Sequence, residues 1–290
     1  MGKGRVVNYQ IKPLTPGLYF VATPIGTARD ITLRALDVLA SADVIAAEDT
    51  RTTRHLMEIH GVPLNGRRLI AYHDHNGAKM RPKLIDAIKA GQSVAYASDA
   101  GTPLVADPGF ALARAVIEED LPLTSAPGPS AVLMALTVSG LPTDRFLFAG
   151  FLPNTATARR KALGEVADIP ATLVFFEGPK RVQALLTDMG TVLGEDRQAV
   201  VCRELTKKFE ELARGTLAEL AEKFADRSVK GEVVVLVDRA QKRVIEPKEV
   251  EAMLLDHLET MSVKDAAAAV SEALGLPRRA LYQQALALKS

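Results

Sequence analysis

The sequence predicts an α/β fold of two successive α/β domains with a small helical extension. Three observations predict it. Short β-rich runs alternate with amphipathic helical segments. A Pro- and Gly-rich linker at 125–129 divides this alternation in two. Strand signals cease at about residue 245. We therefore expect a mobile polar leader at 1–16, domains at 17–126 and 127–240, and a helical extension at 246–290.

The first half is predicted to form a mostly parallel sheet with helices on both faces. Its predicted strands are 18–21, 44–46, 69–72 and 93–97, with a last short strand led by 121–124. Its predicted helices are 31–39, 52–59, 82–90 and 110–119. Asp30 is the expected N-cap of the first helix, because apolar residues then recur at helical spacing from Ile31 to Leu39.

The second half has the same alternation and predicts a second α/β domain. Its predicted strands are 146–148, 173–176, 199–202 and 233–237. Its predicted helices are 130–139, 156–166, 181–189 and 217–224.

The C-terminal residues indicate two closely joined helices. Ser262 is placed to cap the first, Gly275 to stop it, and Pro277 to begin the second. Two helices joined this tightly resemble a helix-turn-helix. Arg278 and Arg279 lie at the start of the second helix, where phosphates are favoured. The alternative is a small helical cap without a nucleic-acid role.

Composition excludes several classes of protein. Apolar residues make up 48 % of the chain and charged residues 24 %, as in ordinary soluble proteins. No apolar run is long enough to span a membrane, and a single cysteine excludes an internal disulfide and a cysteine-based zinc site. The net charge of +1 argues against a broadly basic surface. We expect a cytoplasmic protein.

Three residues have side chains that could suggest chemistry by themselves. His73 and His75 lie two apart on one face of a strand end and could mimic a metal pair, although hydrogen-bonded histidines are the more common use of this pattern. Cys202 lies within a predicted strand and is expected to be buried rather than nucleophilic.

Loops at the strand ends carry the more informative signal, since ligands of parallel α/β domains bind beyond the carboxyl ends of strands. These loops are 22–26, 47–51, 98–104, 126–131 and 176–181. None matches the glycine patterns of dinucleotide or phosphate-binding loops. They are rich in glycine and proline, and expose backbone groups beside few charges, chiefly Glu48, Asp49 and Asp99. Such loops suit a cationic sulfonium or amine ligand that carries adenine and ribose.

The same loops carry a family resemblance. The matching segments, in order, are VATPIGTARDITLRAL, AAEDTRTTRHL, YHDHN, SDAGTPLVADPG, APGPSAVLMAL, FAGFLP, FFEGPKR, CRELTKKFEE and KGEVVVLV. They resemble the tetrapyrrole-methylase superfamily, and most closely its 16S ribosomal RNA cytidine-2′-O-methyltransferase branch. The resemblance spans about 17–237, and 263–286 resembles the C-terminal extension of that branch.

This resemblance implies a fold and a cofactor. It implies the class III methyltransferase type, in which S-adenosylmethionine binds folded in a cleft between the two α/β domains, without a metal and in a homodimer. The cofactor-binding residues implied are Pro24, Asp99, Gly101, Thr102, Leu104, Ser130, Ala131, Phe176 and Glu177.

The resemblance also implies a substrate, a cytidine ribose in the decoding region of 16S rRNA in the 30S subunit. A ribose hydroxyl is a weak nucleophile and needs a base or a nearby positive charge. Candidate bases are Glu48, Asp49, Glu177 and Glu204. Candidate RNA-binding residues are Arg51, Lys180, Arg181, Lys207, Lys208, Arg278 and Arg279. The sequence alone does not show which of these four acidic residues is the base.

Two alternatives stay open at this point. A tetrapyrrole (precorrin or uroporphyrinogen) C-methyltransferase would share the fold, but the first loop has the sequence A-T-P-I-G. It departs from the G-x-G-P-G form typical of those enzymes and favours the rRNA branch. A non-enzymatic RNA- or DNA-binding regulator that uses the terminal helices would leave the strand-end loops without a role.

Overall fold

A computed structural model describes residues 8–73, 75–106, 108–240 and 247–289. The described residues form two compact units, 8–240 and 247–289. The first unit holds two five-stranded sheets with flanking helices, and the second holds three helices. This architecture confirms the predicted fold class. None of the helices in the described ranges is both long and apolar enough to cross a membrane.

The first sheet is entirely parallel, with the strand order β3-β2-β4-β1-β5. Its strands are β1 (Gly17–Val21), β2 (Val44–Ala47), β3 (Arg68–Ala71), β4 (Ser93–Ala97) and β5 (Leu123–Ala126). Its helices are α1 (Leu33–Ser41), α2 (Thr50–His60), α3 (Gly77–Lys89) and α4 (Phe110–Glu118). Apolar clusters cover both faces of this sheet, which is why β2 and β4 are continuous buried runs.

Two helix starts differ from the sequence expectation. The N-cap of α1 is Thr32, not Asp30, because the Thr32 hydroxyl accepts the Ala35 amide at 3.1 Å. Helix α3 begins five residues before Pro82. The Asn76 side chain binds the backbone of His73 at 3.0 Å and so turns the chain into the helix earlier.

The segment before β1 is tethered to the first sheet's helices. The Tyr9 hydroxyl donates to the carbonyl of Gly61 at 3.0 Å, and the Gln10 amide donates to Asp37 at 2.6 Å. The Lys12 amide donates to Ser41 at 3.1 Å. These bonds hold part of the expected mobile leader against α1 and α2; residues 1–7 lie outside the described ranges.

The second sheet is mixed, with the order β6-β7-β10-β8-β9. Its strands are β6 (Phe146–Phe151), β7 (Thr172–Glu177), β8 (Gln198–Arg203), β9 (Glu211–Thr216) and β10 (Val233–Val237). Its helices are α5 (Ala131–Ser139), α6 (Ala156–Val166), α7 (Val182–Leu193) and α8 (Leu217–Lys223), with a 3₁₀ turn at Pro179–Arg181. Strand β10 runs antiparallel to both β7 and β8. Its beginning therefore lies at the same sheet edge as the ends of β6 and β7.

Strand β9 was not predicted from the sequence. It is an edge strand in which only Ala213 is buried, so it has neither an apolar run nor a clear alternation. Pairing with β8 over six residues, rather than local propensity, makes it a strand.

The second unit packs three helices around its own core. They are α9 (Pro247–Leu258), α10 (Val263–Leu274) and α11 (Arg278–Lys289). The Ser262 hydroxyl accepts the Asp265 amide and caps α10, and Gly275 ends that helix in the left-handed conformation, as expected. Helix α9 was missed. It contributes Val250 and Leu254 to the core.

Candidate functional site

A cavity of about 380 Å³ lies between the two sheets of the first unit. Its walls are the loops that follow β1, β4 and β7, the end of β6, the start of α5, and the residues that lead into and begin β10. Four of the five strand-end loops named from the sequence therefore contribute residues to one cavity, and the loop at 47–51 does not. The volume falls within the range of small-molecule sites.

Backbone bonds join the first-sheet loops into one wall. Thr23 and Gly101 exchange two amide–carbonyl bonds of 3.0 Å, and the Ser98 hydroxyl donates to the Gly101 carbonyl at 2.8 Å. The Thr102 hydroxyl donates to the carbonyl of Pro129 at 2.9 Å. Gly101 has φ +82°, a conformation that favours glycine. The loops after β1, β4 and β5 are thus pre-organised before any ligand arrives.

The two halves of the first unit also touch across the cavity edge. The Thr27 amide donates to the Thr206 hydroxyl at 3.2 Å. A Cβ at Gly26 would overlap that hydroxyl and would lie 2.7 Å from Cγ of Lys207. Only glycine allows this close approach, so the loop after β1 packs directly against the loop after β8.

Six of the nine expected cofactor residues line the cavity. They are Gly101, Thr102, Ser130, Ala131, Phe176 and Glu177. The other three flank it. Pro24 precedes the lining residue Ile25, and Asp99 precedes Ala100. Leu104 has φ +72° and packs on the core of the first sheet.

Asp99 and the loop after β2 bind each other. The Asp99 carboxylate accepts the Asp49 amide at 2.9 Å, and Glu48 accepts the Asp99 amide at 3.2 Å. Burial raises the pKa of Asp99 above its ordinary value, because a desolvated carboxylate is harder to ionise. Asp49 caps α2 and pairs with Arg51 at 2.7 Å, and this hydrogen bonding lowers its pKa to about 2. Asp49 is therefore a weak base.

Glu177 lies at the end of β7 with its side chain almost fully buried. Its carboxylate accepts the Gly178 amide at 2.6 Å and an Arg181 Nη2 hydrogen at 2.9 Å. Arg181 also donates to the carbonyl of Leu152 at 2.8 Å. Both side chains are occupied by each other and by the backbone, so this pair shapes the cavity wall.

Glu204 forms a second charged cluster at the cavity edge. One oxygen of its carboxylate accepts the Glu232 amide at 3.0 Å and Lys207 Nζ at 3.0 Å. Lys207 also donates to the Glu232 carboxylate at 3.0 Å. The Glu232 amide, with the Lys207 ammonium, lowers the pKa of Glu204, and the two carboxylates raise the pKa of Lys207 despite its partial burial. Lys207 is therefore a protonated cation at neutral pH.

The remaining expected RNA-binding residues are exposed. The Arg51 side chain is 90 % exposed. Lys180 lies in the 3₁₀ turn that follows the cavity wall, and Lys208 lies over the ring of Phe209. Arg278 and Arg279 begin α11. Arg51 is exposed although it pairs with Asp49. Arg181 and Lys207 are less exposed, and each is held in an ion pair at the cavity.

Several cavity residues were missed by sequence reasoning: Ile25, Val105, Phe151, Gly231 and Glu232. The last two precede β10. A search restricted to loops that follow strands passes over them, because only the antiparallel direction of β10 brings its beginning to the cavity. The K-G-E-V segment contains both residues and was the available signal.

The cysteine and the histidine pair have structural surroundings. Cys202 is fully buried in β8, and desolvation raises the pKa of its thiol to about 12, so it is not a nucleophile. The rings of His73 and His75 meet edge to face at 5.9 Å. No cluster of three metal-ligating side chains occurs within the described ranges.

Two family models match the chain. One, described as tetrapyrrole (corrin/porphyrin) methylases, matches residues 17–221. The other, described as the RsmI C-terminal HTH domain, matches residues 245–289. Together they match most of the first unit and the described part of the second.

Curated relatives match along nearly the whole chain. A ribosomal RNA small subunit methyltransferase I of Mesorhizobium japonicum is 48 % identical over 279 residues, which cover 96 % of this chain and 94 % of the relative. Proteins of the same name from Xylella fastidiosa and Vibrio cholerae are 45 % and 43 % identical and cover 92 % and 93 % of this chain, and 98 % and 94 % of their own lengths.

Solved structures share the fold at low identity. A cobalt precorrin-4 methyltransferase has a TM-score of 0.58 at 17 % identity, covering 76 % of this chain and 94 % of its own. A uroporphyrin-III C-methyltransferase from Thermus thermophilus, complexed with S-adenyl homocysteine, has a TM-score of 0.54 at 20 % identity, covering 77 % and 97 %. These similarities show the architecture alone.

Proposed function

The chain belongs to the tetrapyrrole methylase family and to its ribosomal RNA small subunit methyltransferase I members, and on that premise we propose that it methylates 16S rRNA. The methyl donor is S-adenosylmethionine, and the acceptor is the 2′-hydroxyl of a cytidine ribose in the decoding region. The observation that carries this proposal is the 48 % identity to a curated member over 96 % of the chain.

The C-terminal unit supports the rRNA substrate over a tetrapyrrole. Residues 245–289 match the RsmI C-terminal HTH domain model, and the curated relatives that align along nearly the whole chain carry an rRNA name. The structures of tetrapyrrole enzymes are similar only at 17–20 % identity, which supports the fold and not the substrate. The tetrapyrrole alternative is therefore not favoured.

The cavity fits an adenosyl sulfonium in volume and in chemistry. Its polar groups are backbone amides and carbonyls of the rigid loops, the Thr102 and Ser130 hydroxyls, and the carboxylates of Glu177 and Glu232. Phe151 and Phe176 provide apolar surface, with ring centroids 5.6 Å apart. Backbone groups can bind adenine, and carboxylates favour a cationic ligand over an anionic one.

Methyl transfer from this donor needs alignment above all. Bound S-adenosylmethionine supplies a methyl group on a positively charged sulfur, and the leaving thioether is neutral. The residues of the chain orient the ligand and the incoming hydroxyl in line. The interlocked loops around Gly101 and Pro129 provide this rigidity, and the two phenylalanines give the cleft an apolar surface.

We assign cofactor contacts to the six expected residues that line the cavity, with Pro24, Asp99 and Leu104 acting through their loops. The exposed cations Arg51, Lys180 and Lys208 and the α11 pair Arg278–Arg279 bind rRNA phosphates, since phosphate contacts position a protein on a nucleic acid.

The proposed assembly is a cytoplasmic homodimer that acts on the 30S subunit. Sedimentation of the purified protein tests the dimer directly.

The function is tested by methyl transfer and by mass mapping. Purified protein with labelled S-adenosylmethionine is expected to methylate 30S subunits from a strain that lacks the gene, and mass mapping should place the methyl on one cytidine ribose. A uroporphyrinogen substrate serves as the control. Methylation of the tetrapyrrole without methylation of the subunit would refute the proposal.

A further inference from the structure

The carboxylates near the cavity differ in the hydrogen bonds and ion pairs that they already make within the protein. Glu177 is buried and paired with Arg181, and Asp49 is paired with Arg51. Asp99 caps the Asp49 amide. Glu204 accepts an amide and an ammonium. Each of these side chains holds part of the protein in place.

Glu232 differs from all of them. Among the described residues, two acids line the cavity, Glu177 and Glu232. The Glu232 side chain is 71 % exposed, and the bond described for its carboxylate is the one from Lys207 Nζ at 3.0 Å. Its second oxygen can therefore approach a bound substrate without loss of a structural contact.

The backbone of Glu232 is fixed although its side chain is open. The Glu232 amide donates to the Glu204 carboxylate at 3.0 Å, and the Glu232 carbonyl accepts the Glu204 amide at 3.0 Å. Lys207 anchors the Glu232 side chain and is itself anchored on Glu204. Glu204 has φ +54°, a strained conformation that these bonds maintain. A carboxylate is thus held at the cavity edge and directed by a neighbouring cation.

We propose that Glu232 is the general base that accepts the proton of the ribose hydroxyl, with Glu204 and Lys207 as its positioning residues. This inference rests on the proposed rRNA methylation and deepens it. The base lies at the start of an antiparallel strand and was not among the four acids that the sequence suggested.

The step balances without a further reactant. The hydroxyl oxygen forms a bond to the methyl carbon as the sulfur–carbon bond breaks, and the sulfur takes the bonding pair. The hydroxyl proton moves to the Glu232 carboxylate and then to water. The Lys207 ammonium holds the Glu232 carboxylate in place for this transfer.

The charged groups around Glu232 come from three neighbouring segments. Lys207 and Glu204 lie in the loop after β8, Arg203 ends β8, and the Glu177–Arg181 pair ends β7. Substitution of Glu232 also removes one of the two carboxylates that raise the pKa of Lys207, so only the acid limb of the pH profile is assigned to position 232.

The test compares Glu232→Gln and Glu232→Asp with the unaltered protein in single-turnover methyl transfer to undermethylated 30S subunits. Loss of a general base slows transfer by about 10²-fold or more. We expect that loss in Glu232→Gln and partial recovery in Glu232→Asp. The affinity for S-adenosylhomocysteine, whose sulfur lacks the positive charge that the cavity carboxylates favour, should be unchanged by calorimetry, and so should the affinity for the subunit. Glu222→Gln, an exposed change on α8, is the matched control.

The pH dependence of the methyl-transfer rate is a second test, because it would not change if Glu232 had only a structural role. The rate of the unaltered protein should fall in acid, and Glu232→Gln should lack this acid limb. The inference is overturned if Glu232→Gln transfers methyl at the unaltered rate, or if its S-adenosylhomocysteine affinity falls in parallel with its rate. Absence of transfer by the unaltered protein would instead overturn the proposed function, and the inference with it.

Discussion

The side chain of Glu204 occupies the space that a side chain at Gly231 would need. A Cβ at Gly231 would lie 2.6 Å from Cγ of Glu204 and would overlap its carboxylate, and Gly231 has φ +86°. The approach allows Glu204 to bind the amide of the next residue, Glu232. One glycine thereby permits the charged cluster at the cavity edge.

Gly231→Ala is expected to displace Glu204 and to weaken S-adenosylhomocysteine binding measured by calorimetry. Overpacking adds about 1–3 kcal/mol of destabilisation to the cost of the left-handed backbone. Gly140→Ala is the matched control, because Gly140 has φ +80° and nothing within 4 Å of its Cβ position. Equal effects of the two substitutions on binding would show that steric overlap with Glu204 is unimportant.

Asp99→Ala is expected to raise the dissociation constant for S-adenosylmethionine about tenfold or more. The Asp49 amide would lose a charged hydrogen-bond acceptor, a contact worth roughly 1.5–3 kcal/mol, and the loop beside Ala100 would loosen. Asp99→Asn retains an accepting oxygen and should lose less. Calorimetry that gives unchanged affinity for Asp99→Ala would contradict the role of this loop.

Deletion of residues 247–290 should spare cofactor binding and reduce methylation of 30S subunits. The three C-terminal helices form their own hydrophobic core, so the deletion removes a complete unit. The full-length double variant Arg278→Ala, Arg279→Ala should show a milder loss that grows with salt, because phosphate contacts are salt-dependent. An unaltered rate after the deletion would remove this unit from substrate recognition.

Asp188→Ala should destabilise the second sheet's helices by about 3–5 kcal/mol, because it leaves a buried charge unpaired. Asp188 accepts bonds of 2.6 Å from both Arg159 and Arg160, and Arg159 is 5 % exposed. Urea denaturation measures the loss. The control is Glu118→Ala, which breaks an exposed pair with Arg114 and should cost less than about 1 kcal/mol.

The low pKa of Glu211 predicts that the folded protein loses stability in acid. Hydrogen bonds from Arg227 and Arg203 lower its pKa from 4.5 to about 2. The folded state therefore binds the proton more weakly than the unfolded chain. The stabilisation is present above pH 4.5 and is lost as the pH falls towards 2. Glu211→Gln should flatten this part of the stability profile in denaturant titrations at successive pH values. A slope equal to that of the unaltered protein would refute the assignment.

Local sequence patterns were sufficient to predict the buried elements that contain a continuous apolar run or a clear apolar helical face. Strands β4 and β10 and helix α6 occupy the ranges expected of them. Weakly patterned elements were missed. Strand β9 depends on its pairing with β8, and α9 contributes few residues to its core. Thr32 rather than Asp30 caps α1, because the helix begins at Leu33, two residues later than the sequence pattern indicated.

The sequence by itself determined the α/β class, four of the loops that line the cavity, and the family, because each is encoded in contiguous residues and their spacing. The tertiary structure alone decided which charged side chains are available for chemistry. Ion pairs such as Glu177–Arg181 and Glu204–Lys207 form between groups whose contacts depend on how loops and strands pack. The position of Glu232 at the cavity follows from the direction of one strand, and strand direction is set by the assembled sheet.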